Sequence, residues 1–216
     1  ASQTTCAVVS GLAKSSCGMP PFFSAAWAAE NRLMPTSNPA ETATPKAEAA
    51  MRAIARLNGD VSLVPINQRI DGDNADMLLR HSDVIIDGCD NFATRLVVSD
   101  AATRLHIPLV SAAVGQFEGQ LAVYRGWEAE QPCYRCLVGE DPARAEASCA
   151  EAGVLGALTG TLGGLAALEA IRALVPFGED SAGKLLIADL LSLRFRTLAL
   201  AKDPACPACQ SEPCPA

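Results

Sequence analysis

The chain has 216 residues, half of them hydrophobic and 19% charged, with a formal net charge of −7. That is enough apolar material for one well-filled domain with an appendage, and it excludes global disorder. The absence of a basic run excludes a nonspecific nucleic-acid binder, and two histidines among nine cysteines make a histidine-based metal cage a poor fit.

In chain order, TTCAVVS (residues 4–10) reads as a short strand, followed by a loop. Pro21 is placed to open a helix over 21–34, because proline fits the first helical turn. Three prolines in residues 35–45 make that stretch a linker. Ala50, Ile54 and Leu57 stand at helical spacing after Lys46, and Asn58-Gly59 ends that helix. VSLVPI, residues 61–66, reads as a strand, and residues 71–79 as a short helix. VIID, residues 84–87, is a continuous apolar run of the kind buried in a parallel sheet. A helix over 91–105 and a strand over 107–114 follow.

Residues 118–126 alternate with period two. The run GVLGALTGTLGGLAAL (153–168) is short of the roughly 20 apolar residues that a membrane span needs. It reads as the start of a buried helix over 153–175, whose Gly156, Gly160 and Gly164 let another element come close. Strands over 184–191 and 192–201 form a late hairpin. Strands alternating with helices imply an α/β fold. The later strands look antiparallel, so the sheet is expected to be mixed, Rossmann-like and covered by helices on both faces.

Cys133-Tyr-Arg-Cys136 and Cys206-Pro-Ala-Cys209 are two C-x-x-C pairs. Thiolates two residues apart grip one ion from a tight turn, and two such turns complete a closed four-thiolate site, the usual structural zinc arrangement. A redox C-x-x-C opens a helix after a strand. Neither pair is expected there, and the adjacent prolines favour turns. Residues 204–216 are then a zinc-binding tail folded back on 133–136. The first 20 residues lack the basic start and apolar run of a secretory signal, so free thiols in a reducing, cytoplasmic compartment are expected.

Asp87 and Asp90 fall at the carboxyl end of the 84–87 strand, where open parallel sheets bind ligands. Asp90-Asn91 also suits a helix cap. Lys46 at a helix start is unfavourable unless an anion sits near it, although on these residues alone a solvated surface lysine accounts for it better. Cys149 lies in a polar Ala/Glu/Arg-rich stretch, either as an ordinary thiol or as a nucleophile toward an activated acyl group.

The words PKAEAAMRAIARLNGDV, DVIIDGCDNFATRLVVSDAA, IPLVSAAVGQFEGQLAVY, CYRCL, SCAEAGVLGALTGTLGGLAALEAIRAL and CPAC, in this order, resemble the ThiF/MoeB/HesA family of ubiquitin-activating-like adenylyltransferases. The resemblance covers about Lys46 to Cys209 and makes 46–203 the α/β domain. It implies ATP- and Mg²⁺-dependent adenylation of the C-terminal glycine of a ubiquitin-fold sulfur carrier of the ThiS or MoaD kind. Such carriers serve thiamine, molybdopterin or related sulfur-transfer biosynthesis, with a cysteine desulfurase or rhodanese as sulfur donor. By resemblance Lys46 steadies the phosphates, Asp90 and Asn91 hold magnesium and nucleotide, and Cys133, Cys136, Cys206 and Cys209 bind structural Zn²⁺. Cys149 matches a crossover-loop cysteine, and a homodimer is implied. No membrane or nucleic-acid partner is expected.

Residues 1–45 depart from the family. Gly11 and Gly18 are too far apart for its Gly-x-Gly-Gly-x-Gly turn. Ser37-Asn38-Pro39-Ala40-Glu41 lacks the Arg and Gln of its phosphate-facing word. A second reading is therefore a non-catalytic, zinc-stabilised relative that binds a ubiquitin-fold partner without adenylating it.

Overall fold

The computed structural model describes residues 6–9, 45–66, 68–139 and 153–210. The helix expected over 21–34, Gly11, Gly18, Cys17, Cys149, Cys214, and the side chains of Cys6 and Lys46 lie outside the described residues. Residues 10–69 form one compact unit, and residues 1–9 with 70–216 form another.

In the first unit, Pro45 and Glu48 begin helix α1 (Pro45–Leu57) and Arg56 ends it, each matched to the helix dipole or first-turn geometry. Glu48 and Arg52 pair across one turn at 3.5 Å. The strand expected over 61–66 is not formed. Val64 and Ile66 are 66% and 45% exposed. Apolar alternation makes a strand only when a neighbouring strand accepts its hydrogen bonds, and Pro65 removes one donor.

The second unit is built on a six-stranded sheet. Its strands are β1 (Cys6–Val9), β2 (Val84–Asp87), β3 (Leu109–Val114), β4 (Glu118–Tyr124), β5 (Lys184–Asp189) and β6 (Arg194–Ala199), in that spatial order. Only β2 and β3 run parallel; the other pairs are antiparallel. The sheet is therefore mixed, as expected, but richer in antiparallel pairs than strand–helix alternation implies. The connections from β3 to β4 and from β5 to β6 are short hairpins, which permit only antiparallel pairing.

Alternate side chains feed two cores. Ile85, Leu109, Ala122 and Tyr124 pack with Val98, Ala101 and Ala102 of α3 (Phe92–Arg104) and with Ala75 and Leu79 of α2 (Ala75–Leu79). Val84, Val110, Leu121 and Val123 face the other way, onto Ala166 and Ala170 of α5 (Gly156–Leu174). A five-residue helix, α4 (Tyr134–Val138), lies between β4 and α5 in sequence. Helices thus cover both faces, and the β-period of two decides which core each residue joins.

Helix α5 has the length and apolar composition to cross a membrane, with a mean hydropathy of 1.2. Its narrow stripe Leu158, Leu162, Ala166 and Ala170 is buried against the sheet at four-residue spacing, as in a core helix. The expectation that Gly156, Gly160 and Gly164 admit a close neighbour is not met: among the described residues, nothing comes within 4 Å of where their Cβ atoms would stand. The close approach lies on the facing strand. A Cβ on Gly119 would stand 2.1 Å from Leu162 Cδ1, so glycine in β4 lets α5 settle on the sheet.

Candidate metal centre and activation site

Two sites stand out, one at each end of the strands. The first is made by the cysteine pairs. Pro132 and Cys133 follow β4, and Cys133 is the N-cap of α4, which places Cys136 one turn further on. Helix α4 is fixed on α3: the Tyr134 amide donates to Ser99 Oγ at 3.3 Å, and Arg135 donates two bonds of 2.8 Å to Asp100. The second pair sits in turns closed by Cys206 N–H to the Asp203 carbonyl at 3.1 Å and Gln210 N–H to the Cys206 carbonyl at 3.2 Å. The Lys202 ammonium, donating to the carbonyls of Gly126 at 2.9 Å and Glu128 at 2.7 Å, ties this tail to the stretch after β4.

The four sulfurs then converge. Cys133 Sγ lies 3.8 Å from Cys136 Sγ and 3.5 Å from Cys206 Sγ, and Cys136 Sγ lies 3.6 Å from Cys209 Sγ. All four ligand atoms fall within 4.8 Å of one another. Thiolates held at about 2.3 Å around a tetrahedral ion stand about 3.8 Å apart, and a disulfide stands at about 2 Å. The cluster therefore has the dimensions of a tetrahedral metal site. Burial pushes the Cys133 thiol up, and pushes Cys209 up to about 12. Burial acts the same way on Cys206, but hydrogen bonds from the Ala208 and Cys209 amides and from the Cys133 and Cys209 thiols together hold it below its ordinary value. A cation among the four sulfurs would favour the thiolate form in each of them. Contrary to the sequence expectation, the first pair does open a short helix. The convergence of a second pair, not the absence of a helix, is what distinguishes this cluster from a redox C-x-x-C.

The other site is the carboxyl end of β2. Asp87 is buried, and its Oδ2 accepts from Arg95 Nη1 at 3.0 Å and from Ser111 Oγ at 3.1 Å. Its Oδ1 accepts from the Cys89 amide at 2.8 Å. Arg95, also buried, donates from Nη2 to the carbonyls of Cys89 and of Ala112, the latter at 2.8 Å. Asn91 is the N-cap of α3: its Oδ1 accepts from the Thr94 amide at 2.8 Å. Asp90 stands between these fixed points with its carboxylate exposed, receiving a bond from Asn91 Nδ2 at 3.4 Å. Asn91 therefore caps the helix, as the first of its two sequence readings has it, and the Asp90 carboxylate beside it is exposed. The sequence reading missed the Asp87–Arg95–Ser111 cluster. An arginine four residues into a helix that follows a buried strand ending in aspartate is the signal that could have found it.

A hollow of about 200 Å³ lies at the opposite end of the strands from Asp90, lined by Pro108, Arg125, Glu169, Arg172 and Ser181. Its charges satisfy one another: Arg172 pairs with Glu169 at 3.1 Å, and Arg125 with Asp180. Arg125 Nε is buried there without a hydrogen-bond partner, with the Glu128 carboxylate 3.3 Å away as its ion-pair neighbour.

The family model of the ThiF family matches residues 36–208. A sulfur carrier protein adenylyltransferase of Thermus thermophilus is 43% identical over 173 residues, covering 78% of this chain and 64% of that protein. The SAMP-activating enzyme E1 of Haloferax volcanii is 40% identical over 170 residues, covering 78% of this chain and 62% of that protein. The chain thus spans a little under two thirds of the length of these relatives. The crystal structure of E. coli MccB with ATP superposes with a TM-score of 0.64 at 16% identity, over 78% of this chain and 52% of that one, a likeness of fold. The match over residues 36–208 places this chain in the ThiF family.

Proposed function

We propose that the chain activates the C-terminal carboxylate of a ubiquitin-fold sulfur-carrier protein by adenylation, in thiamine, molybdopterin or a related sulfur-transfer pathway. The observation that carries this reading is Asp90: an exposed carboxylate at the carboxyl end of β2, on backbone pinned at both sides, in a chain of this family. ATP with Mg²⁺ supplies the adenylyl group when bound. Asp90 presents the negative charge that holds the cation, and Asn91 steers that carboxylate from its capping position. Lys46 offsets phosphate charge. Stabilising charge at the departing phosphates is the main task in such a transfer. The carrier carboxylate becomes an acyl adenylate as pyrophosphate leaves. A sulfur donor of the cysteine desulfurase or rhodanese kind then displaces AMP, with Cys149 as the residue that forms a covalent link to the carrier if one is used.

Zinc is the metal we assign to Cys133, Cys136, Cys206 and Cys209. Four converging sulfurs leave no open position, so its work is structural. The outer face of α5, uncharged apart from Glu169 and Arg172, which pair with each other, suits a homodimer contact. Cys89, Cys133, Cys136, Cys206 and Cys209, all unbridged, fit a reducing cytoplasm.

The test is carrier-dependent ATP–pyrophosphate exchange by zinc-loaded protein. Exchange that disappears in Asp90→Ala, with zinc content and melting temperature kept, supports the reading. Carrier binding without exchange, indifferent to ATP and to Asp90, would establish the non-catalytic scaffold instead.

A further inference from the structure

We infer that Arg95 is a positioning residue for the activation site: it holds the Cys89–Asp90 peptide so that the Asp90 carboxylate stays directed out of the sheet. This rests on the reading of Asp90 given above.

Arg95 lies 8% exposed by side chain against an Asp87 that is 1% exposed, so it is no solvated helix charge. Burying such a pair is costly unless every donor and acceptor is used, and here the bonds are spent on one segment. Asp87 Oδ1 takes the Cys89 amide at 2.8 Å, and Arg95 Nη2 takes the Cys89 carbonyl. The two charges therefore grip the same residue by its two backbone groups. The Arg95 bonds to Ser111 Oγ at 3.0 Å and to the Ala112 carbonyl at 2.8 Å anchor this grip to β3. On the far side of Asp90, Asn91 fixes the start of α3 through the Thr94 amide. Asp90 is left as one exposed residue between two clamps. Only a planar guanidinium reaches Asp87, Ser111 and two carbonyls together; an ammonium is a point donor.

The experiment uses Arg95→Lys, which keeps the charge opposite Asp87, with Ser111→Ala as a milder variant that keeps Arg95. Amide hydrogen exchange is followed in the full chain at Cys89 and Thr94, beside the core positions Ile85 and Val110. In Arg95→Lys, exchange at Cys89 is expected to quicken at least tenfold, with Ile85 and Val110 unchanged. In the exchange assay with Mg²⁺-ATP and a ubiquitin-fold carrier, the Mg²⁺ concentration for half-maximal rate is expected to rise about tenfold while KM for the carrier holds. Ser111→Ala is expected to do the same more weakly. Unchanged exchange at Cys89, or equal quickening throughout the sheet, overturns the inference. So does a fall in rate with no change in the Mg²⁺ requirement, which is what a smaller folded fraction produces. A wild-type chain with no pyrophosphate exchange refutes the reading of Asp90, while hydrogen exchange still decides whether Arg95 holds the loop.

Discussion

Gly126→Ala tests whether the metal centre depends on the close packing of that glycine against Cys133. Gly126 is buried just after β4, and its φ is outside the left-handed region, so alanine meets no backbone penalty there. The cost is steric. A Cβ would stand 2.6 Å from Cys133 Cβ, 3.1 Å from Thr103 Oγ1 and 3.2 Å from Cys133 Cα. Carbon atoms prefer at least about 3.5 Å, so Cys133 has to retreat by about 0.9 Å. Its Cβ and Cα cannot rotate away, and Cys133 is fully buried. Overpacking of this kind costs about 1–3 kcal/mol, which in a chain of this size is a fall in Tm of roughly 2–12 °C. The shift also displaces a sulfur that stands 3.5 Å from Cys206 Sγ, so metal should leave to a chromophoric chelator at lower chelator concentration. Gly160→Ala is the paired control. It adds a Cβ into open space on a helix, where alanine gains about 0.5–1 kcal/mol. Thermal melts and chelator titrations of both variants decide the matter. If Gly126→Ala melts and holds metal like the parent chain, the packing argument is wrong.

Other outcomes are open to direct measurement. Elemental analysis should find one zinc per chain, and Cys209→Ser should lose most of it together with a clear drop in Tm. Tyr124 is buried, and burial, with Tyr134 beside it, raises its pKa. A phenol whose folded pKa is raised destabilises the fold as pH passes the unfolded value near 10, by up to about 1.4 kcal/mol per pH unit until the folded pKa is reached. Urea melts between pH 9 and 11.5 should therefore show a shallower alkaline loss in Tyr124→Phe. Asp76→Ala removes an ion pair to Arg104 whose two side chains are each 52% exposed, and should change stability by less than about 0.5 kcal/mol.

Sequence legibility followed the range of the interactions. Val84–Asp87 could be read to the residue, because a strand buried on both faces is apolar along its length. Helix α5 and the four cysteines were equally plain, since each carries its periodicity or spacing locally. Residues 61–66 show the same local pattern as a strand and form none, because pairing depends on a partner that the pattern does not contain. The clamp on Cys89 was hidden for a related reason. Arg95, Asp87 and Ser111 meet only after β2, α3 and β3 have assembled, and the spacing of Asp87 and Arg95 does not show that both turn inward onto Ser111. The glycines of α5 misled because spacing shows which residues share a helix face, but not whether anything packs on it.

The order of the sheet has a consequence for how the chain folds. From β2 to β6 every strand lies beside its neighbour in sequence, so no strand has to be inserted between two already paired. The β3–β4 and β5–β6 hairpins can zip locally and early. The slow step is then the joining of β4 to β5, across the long excursion through α4 and α5, because distant pairing must meet the cost of loop closure first. The two cysteine pairs, 73 residues apart at Cys133 and Cys206, join a point soon after β4 to one soon after β6. An ion captured early by both pairs would shorten the search, so metal is expected to speed refolding as well as to slow unfolding.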